Sequence, residues 1–280
     1  MTGRRKKKFE SIKTVLLYVA LIFMAFIMLI PFAWMISASL KLEKDVFSFP
    51  IVWIPEDPQW SNYKEIWQKV PLLTGFFNSI KLTVVVTVLQ FITSALAAYA
   101  FAKVNFPLKN LFFMIVLSQL MFPAQVFILP QYEMISALGK TDSLFALVFP
   151  ALVSAFGTFF LRQTYMGIPD DLLEAARIDG CGHFRSFISI AFPLTKTAMA
   201  ALAVFTALFA YGDLMWPLIV NTKLDKLTLS SGLSTLRGQF SVNYPNLMAG
   251  SVLAMIPMII IYIIFQRQFI EGIALTGTKA

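Results

Sequence analysis

Cysteine and histidine occur once each, as Cys181 and His183, and charged residues are scarce, at 14% of 280 residues. A single cysteine permits no internal disulfide. Neither it nor the histidine has further ligands or a base at useful spacing, so no metal centre and no catalytic residue is expected. The phosphate-cradling pattern GxxxxGK[ST] is also missing, which argues against ATP binding or hydrolysis by this chain. The shortage of charge excludes an ordinary soluble domain, whose surface needs more polar cover.

What fills the chain instead is apolar: 58% of residues, with 28 Phe and a mean hydropathy of +0.73. Residues 14–40, 82–102, 110–132, 143–161 and 238–266 contain no Asp, Glu, Lys or Arg, and 197–220 is broken only by Asp213. About twenty apolar residues cross the hydrocarbon core as a helix, the one form besides a closed barrel that satisfies its backbone there. The pattern predicts an all-α membrane protein with six spans near 14–37, 78–102, 110–129, 144–161, 197–220 and 248–266. Residues 14–266 form one domain on this reading, between a basic N-terminus (1–13) and a C-terminal tail (267–280).

Six spans place both termini on one side. That side carries fourteen Lys and Arg and the opposite loops carry eight, which predicts cytoplasmic termini. "RRKKK" at 4–8 then reads as a topology signal beside anionic lipid, and the net charge of +8 needs no nucleic acid. The first apolar run is too long for a cleaved signal peptide. Outside, Trp53, Trp60 and Trp67 recur every seven residues, suited to the headgroup level or to an external partner. Pro31, Pro123, Pro130, Pro150, Pro217 and Pro257 fall inside or at the ends of spans, where neighbours must re-satisfy the freed carbonyls. The small-residue run "SALAAYAFA" at the end of the second span suits close helix packing.

One stretch breaks the pattern. Residues 162–196 form a long polar loop on the basic side, containing "IPDDLLEAARIDGCG". Pro169, Asp170 and Asp171 mark a helix start, since proline fits a first turn and acids favour the positive end of the dipole. Gly180 and Gly182 are expected to stop the helix. A second amphipathic run places Phe184, Phe187 and Ile188 on one side and ends at Pro193. The first helix is too short to be stable alone. With Ala175 and Ala176 keeping its surface thin, it suits a groove in a cytoplasmic partner, and a hairpin on the membrane surface fits the same residues.

The stretch resembles the signature loop of membrane subunits of ATP-binding-cassette importers: Glu174, Ala175, Ala176, then Gly180, then Ile190 and Pro193 at the family's spacings. Phe192 stands where that family prefers Leu. "FFNSI", "AAYAFAKVNFP", "LMFPAQVFILP", "WPLIV" and the C-terminal run from Ile256 are similar to sugar-importing permeases, most of all the smaller permease of maltose-type systems. The resemblance implies a type I importer permease in a bacterial cytoplasmic membrane, carrying a carbohydrate, most often an oligosaccharide. It further implies a second, related permease, an extracytoplasmic solute-binding protein, and two cytoplasmic ATPases that hold ATP and Mg, this chain being non-catalytic. Glu174, Ala175, Ala176, Arg177, Asp179 and Gly180 are then the ATPase-docking residues.

Asp213 is the one acid deep within a predicted span, where a carboxylate is functional by default. It and Tyr211 are read either as pathway lining or as structural pairing. Asn78, Gln90, Gln119 and Gln125 are candidates for sugar hydroxyls, although polar groups in spans also bond to neighbouring helices. Two alternatives remain: a permease for another polar solute such as a polyol or glycerol phosphate, or an ion-coupled secondary transporter using Asp213.

Overall fold

A computed structural model describes the backbone of residues 2–237 and 242–277 and the side chains of 13–237 and 242–267. The side chains of the basic stretch 4–8 and of residues 268–280 in the tail lie outside the described residues. The described chain is helical, apart from an isolated antiparallel bridge between Arg237 and Val242.

In chain order, α1 (Thr2–Ser39) carries an apolar stretch from Lys13 with Pro31 inside it. Next come α2 (Ser61–Lys69) and α3 (Leu72–Lys103). α4 (Lys109–Ser118) runs through a 3-10 turn to Met121, and α5 (Ile128–Ala137) follows. After these lie α6 (Leu144–Val148), α7 (Ala155–Met166) and α8 (Asp170–Ile178). α9 (His183–Leu194), α10 (Lys196–Gly212), α11 (Met215–Val220), α12 (Leu229–Ser234) and α13 (Tyr244–Gly277) complete the chain. Three helices are long and apolar enough to cross a membrane, and counting each of three bent pairs as one span gives the six expected.

The bends revise the expected boundaries, and each has a local cause. The third span, read as continuous over 110–129, turns by 101° between Met121 and Ala124. Phe122 is extended there (ψ 136°) because it precedes Pro123. The fourth span bends by 44° between Ala151 and Ala155, where Ser154 accepts the Gly157 amide at 3.0 Å and restarts the helix. The fifth, expected over 197–220, stops at Gly212, and Asp213 is extended before the short α11. The second starts at Leu72, six residues before the expected Asn78.

The chain divides into two compact units. One comprises Met1–Val70 and Leu233–Met255. There the Asn62 amide donates to the carbonyls of Ser39 (2.9 Å) and Lys41 (3.0 Å), closing the C-terminal end of α1. Glu65 accepts from Asn246 at 3.2 Å and from Lys69 at 3.1 Å. These two donors, Asn246 first, hold the Glu65 carboxyl below the usual carboxylate range. Trp53, Trp60 and Trp67 are all exposed.

The other unit, Pro71–Gly232 and Ile256–Ala280, is built on α3, which packs along α7 and α10. Its core joins Ala95, Ala98 and Tyr99 to Leu161 and Tyr165 of α7 and to Ala198, Ala201 and Leu202 of α10. In lipid no hydrophobic force drives helices together, so close van der Waals packing must, and small residues permit it. Contact is close at Gly157, where an added Cβ would sit 2.6 Å from the Ser94 Oγ. At the other end of α3, the Asp142 carboxylate accepts the amides of Thr222 (2.6 Å) and Lys223 (2.9 Å), tying two loops together. Those bonds, Lys223 first, hold the Asp142 carboxyl below its usual range.

Substituting Gly157→Val should force α3 and α7 apart and destabilise the protein by about 1–3 kcal/mol. Ser94→Gly in the same chain should restore part of the loss. Thermal melts of the unaltered protein, each single variant and the double variant check this; a Gly157→Val loss that Ser94→Gly leaves unchanged would mean that the Ser94–Gly157 contact is not what limits the packing.

Candidate functional site

The polar loop is built around α8. Pro169 is extended (ψ 135°) ahead of the helix, Asp170 and Asp171 occupy the first turn and Arg177 the last, all in agreement with the helix dipole. Leu173 and Ala176, three residues apart, are buried on the inner face, while Leu172, Glu174, Ala175, Arg177 and Ile178 are exposed. The two alanines expected to thin one surface therefore part company: Ala175 thins the outer face and Ala176 packs within the chain. Ile178, at 87% exposure, is the most prominent apolar group on this helix.

The stop after α8 is a Schellman turn. The Cys181 amide bonds the Ala176 carbonyl at 2.8 Å and the Gly180 amide bonds that of Arg177 at 3.0 Å. This needs a left-handed residue at Gly180, whose φ is +82°. Gly182 does something else: at φ −71° it is the cap before α9. One glycine ends the first helix and the other opens the next.

Two anchors hold the loop. Lys103, ending α3, donates from Nζ to the Ile168 carbonyl and to Asp170 Oδ1, both at 2.6 Å. Its side chain is only 5% exposed, and its hydrogen bond holds the Asp170 carboxyl below the usual range. Sequence reasoning counted Lys103 for topology alone; the available signal was a cation closing an apolar run, beside the C-terminal end of a helix. The second anchor is Phe187, whose ring lies 5.3 Å from that of Tyr99 inside the core of the α3 unit. Phe184 and Ile188, expected on the same side, are exposed. A π turn over Phe187–Ala191, with the Phe192 amide bonded to the Phe187 carbonyl, changes the register there.

Within the same unit, a cavity of about 1010 Å³ is lined by Gln90 of α3, Ser154, Phe156, Thr206 and Asp213 among mostly apolar groups. Asp213 is not inside a helix but at the break between α10 and α11. The backbone amides of Leu214, Met215 and Trp216 lie close enough to act on its carboxylate. Thr206 Oγ1 donates to Gln90 Oε1 at 3.3 Å. A second cavity of about 420 Å³ shares Asp213 and Ser154 and adds Gln119. Gln125 is exposed on the turn after Pro123, and Tyr211 is buried at the end of α10. Asn78 stands apart: its amide donates to the carbonyls of Asp225 and Leu227, both at 2.9 Å, and so fixes a loop.

The glycine turn gives a direct check on the loop. Gly180→Ala should destabilise it by about 1–2 kcal/mol, the cost of a left-handed residue with a side chain. Gly182→Ala should be near neutral, since its φ is ordinary and nothing lies within 4 Å of the added Cβ. Protease susceptibility of the loop reports the difference; equal effects at both positions would contradict the turn.

Comparison with known proteins bears on both the loop and the helices around it. The family profile of the binding-protein-dependent transport system inner membrane component matches residues 90–274. An arabinooligosaccharides transport system permease protein, AraQ, of Halalkalibacterium halodurans is 34% identical over 277 residues, spanning 98% of this chain and 99% of that one. An sn-glycerol-3-phosphate transport system permease protein, UgpE, of Pectobacterium atrosepticum is 34% identical over 239 residues, 82% of this chain and 85% of that one. The fold matches a chain of a bacterial ABC transporter involved in the import of alginate, with a TM-score of 0.78 at 24% identity, covering 96% of this chain and 99% of that one. With helices of membrane-spanning length and a match over more than half of its residues, the chain belongs to the family of binding-protein-dependent transport system inner membrane components.

Proposed function

We propose that this chain is one of two permease halves of an ATP-driven importer for a neutral carbohydrate, most simply an oligosaccharide. The observation that carries the reading is α8: a short helix fixed at both ends that leaves Leu172, Glu174, Ala175 and Ile178 exposed. So small a helix gains stability from whatever seats on it, and an apolar and acidic face suits a groove in a partner. On this reading the partner is a cytoplasmic ATPase, two of which bind ATP and Mg. A related permease completes the pathway, and an extracytoplasmic binding protein delivers the solute. The permease itself catalyses nothing. The excess of Lys and Arg supports a cytoplasmic position for α8 and both termini.

Coupling then follows from the anchors. A pull on the outer face of α8 is passed through the Lys103 bonds to the end of α3, and through Phe187 to the core between α3, α7 and α10. Such a joint moves helices as rigid groups around a midplane site, as alternating access requires. Glu174 is placed to meet a cation on the ATPase, and Gly180 lets the chain leave the groove.

A neutral solute is favoured over glycerol phosphate by the cavity. Among its described lining residues Asp213 is the one charged side chain, and a carboxylate repels a phosphate. Gln90, Ser154 and Thr206 offer hydroxyls and an amide to a sugar, and the phenyl rings of Phe156, Phe205 and Phe209 offer apolar faces. Against an ion-coupled carrier, the Asp213 carboxylate lies beside the backbone amides that open α11.

Co-purification of the chain with its permease and ATPase partners tests the docking helix. Glu174→Lys should reduce ATPase recovery about tenfold or more, the usual effect of reversing a charge at a paired interface site, while the second permease stays bound. ATPase recovery equal to that of the unaltered chain would sink the docking role. Solute uptake by reconstituted vesicles without ATP would sink the importer reading altogether.

A further inference from the structure

At the end of α3 opposite Leu72, a polar pocket of about 560 Å³ opens among Phe101, Asn105, Leu108, Lys109, Arg162 and Met166. Lys109 donates to the Val104 carbonyl at 2.9 Å. Arg162 donates from Nε to the Phe101 carbonyl at 3.2 Å, and its guanidinium carbon lies 4.2 Å from the centroid of the Phe113 ring. Lys109 also donates to the Ala102 carbonyl at 3.5 Å, so these contacts fix both cations and leave one Lys109 N–H and the terminal guanidinium N–H groups of Arg162 to meet a ligand. Arg162 and Lys103 each lie near enough to Lys109 to repel it. Lys103 is balanced by Asp170, whereas neither Arg162 nor Lys109 joins an ion pair among the described residues. The sequence holds no Asp or Glu between Glu65 and Glu133, so neither helix that walls the pocket on this side supplies a counter-charge.

Two further features share the pocket. α4 begins here after Leu108, at φ 58°, with no side chain capping its first turn. Free amides and the positive dipole end therefore add to the cationic field. Leu108, Leu111 and Met166 also line the pocket and are exposed. All of this lies where the spans of α3, α4 and α7 end. Like charges held side by side without a carboxylate call for an anion, and an exposed apolar rim at a membrane boundary calls for acyl chains.

We propose that this pocket binds the phosphate of an anionic phospholipid, with Arg162 and Lys109 on the phosphoryl oxygens and Leu108, Leu111 and Met166 against the acyl chains. Arg162 suits the role because its planar fork matches phosphate geometry. The inference depends on membrane embedding only, and stands whether or not α8 docks an ATPase.

Native mass spectrometry of the full chain with its partner subunits, in detergent with equal phosphatidylglycerol and phosphatidylcholine, tests it. The unaltered chain should retain phosphatidylglycerol preferentially. Retention should fall about fivefold for each cation removed, in Lys109→Gln and in Arg162→Gln/Lys109→Gln. Lys109→Arg should keep the preference, separating loss of charge from loss of fold. Equal retention of the two lipids, or an unchanged preference in the double variant, would overturn the proposal. Displacement of the lipid by inorganic phosphate at the same concentration would overturn it too, showing a free-anion site instead.

Discussion

The ammonium of Lys103 is the joint on which the arrangement turns. A cation removed from water is costly unless several oxygens meet it, and this one has the Ile168 carbonyl and the Asp170 carboxylate. It also sits in the last turn of α3, where the dipole favours positive charge. With that, the longest helix of its unit is fixed to the start of α8, 67 residues further on. The opposite end of α3 is held as firmly, by Asn78 and by Ser79, whose Oγ accepts the Leu229 amide at 2.9 Å. Between these ends the stripe of small residues brings α7 and α10 close. α3 is thus fixed at both termini and packed along its length.

Around it the helices are broken, and three of the breaks have a polar side chain beside them. An unsatisfied backbone group in hydrocarbon costs several kcal/mol, so a broken span needs local partners. Ser154 supplies a hydroxyl to the Gly157 amide. Thr195, at the 82° turn into α10, donates from Oγ1 to the Ala191 carbonyl at 2.8 Å. At the third break the Asp213 carboxylate lies beside the amides that open α11. At these breaks the polar side chains serve the backbone first.

That use explains what could and could not be read from the sequence. The six apolar runs and the position of α8 were legible, because charge gaps and the Pro-Asp-Asp start act locally. Gly180 was legible as a stop, but Gly182 was read as a second stop where it is a cap. The difference lies in φ, which spacing does not encode. The fifth span was read through Asp213 because an acid amid apolar residues does not reveal whether the helix goes on. Pro123 was noted as a span proline, yet a 101° turn depends on what packs around it, not on proline alone. Lys103, 65 residues from its partner carbonyl, left no local trace of its pairing. The split of Ala175 from Ala176 follows from the periodicity of α8 once the buried side is known, and only the fold supplies that side.

Asp213 shows how structural and functional demands meet at one residue. A helix break exposes amides, and amides at a break attract a carboxylate. The carboxylate, so held, forms part of a cavity wall. The nearby amides of Leu214, Met215 and Trp216 offset part of the cost of burying its charge, and the cavity stays open to a neutral solute. Were Asp213 a proton carrier, protonation would weaken the cap of α11 at every cycle, since a neutral acid accepts more weakly than a carboxylate. A chain that draws its work from a docked ATPase avoids that conflict. On the proposed reading, energy enters through the anchored α8, and the broken helices carry the polar groups that meet the solute.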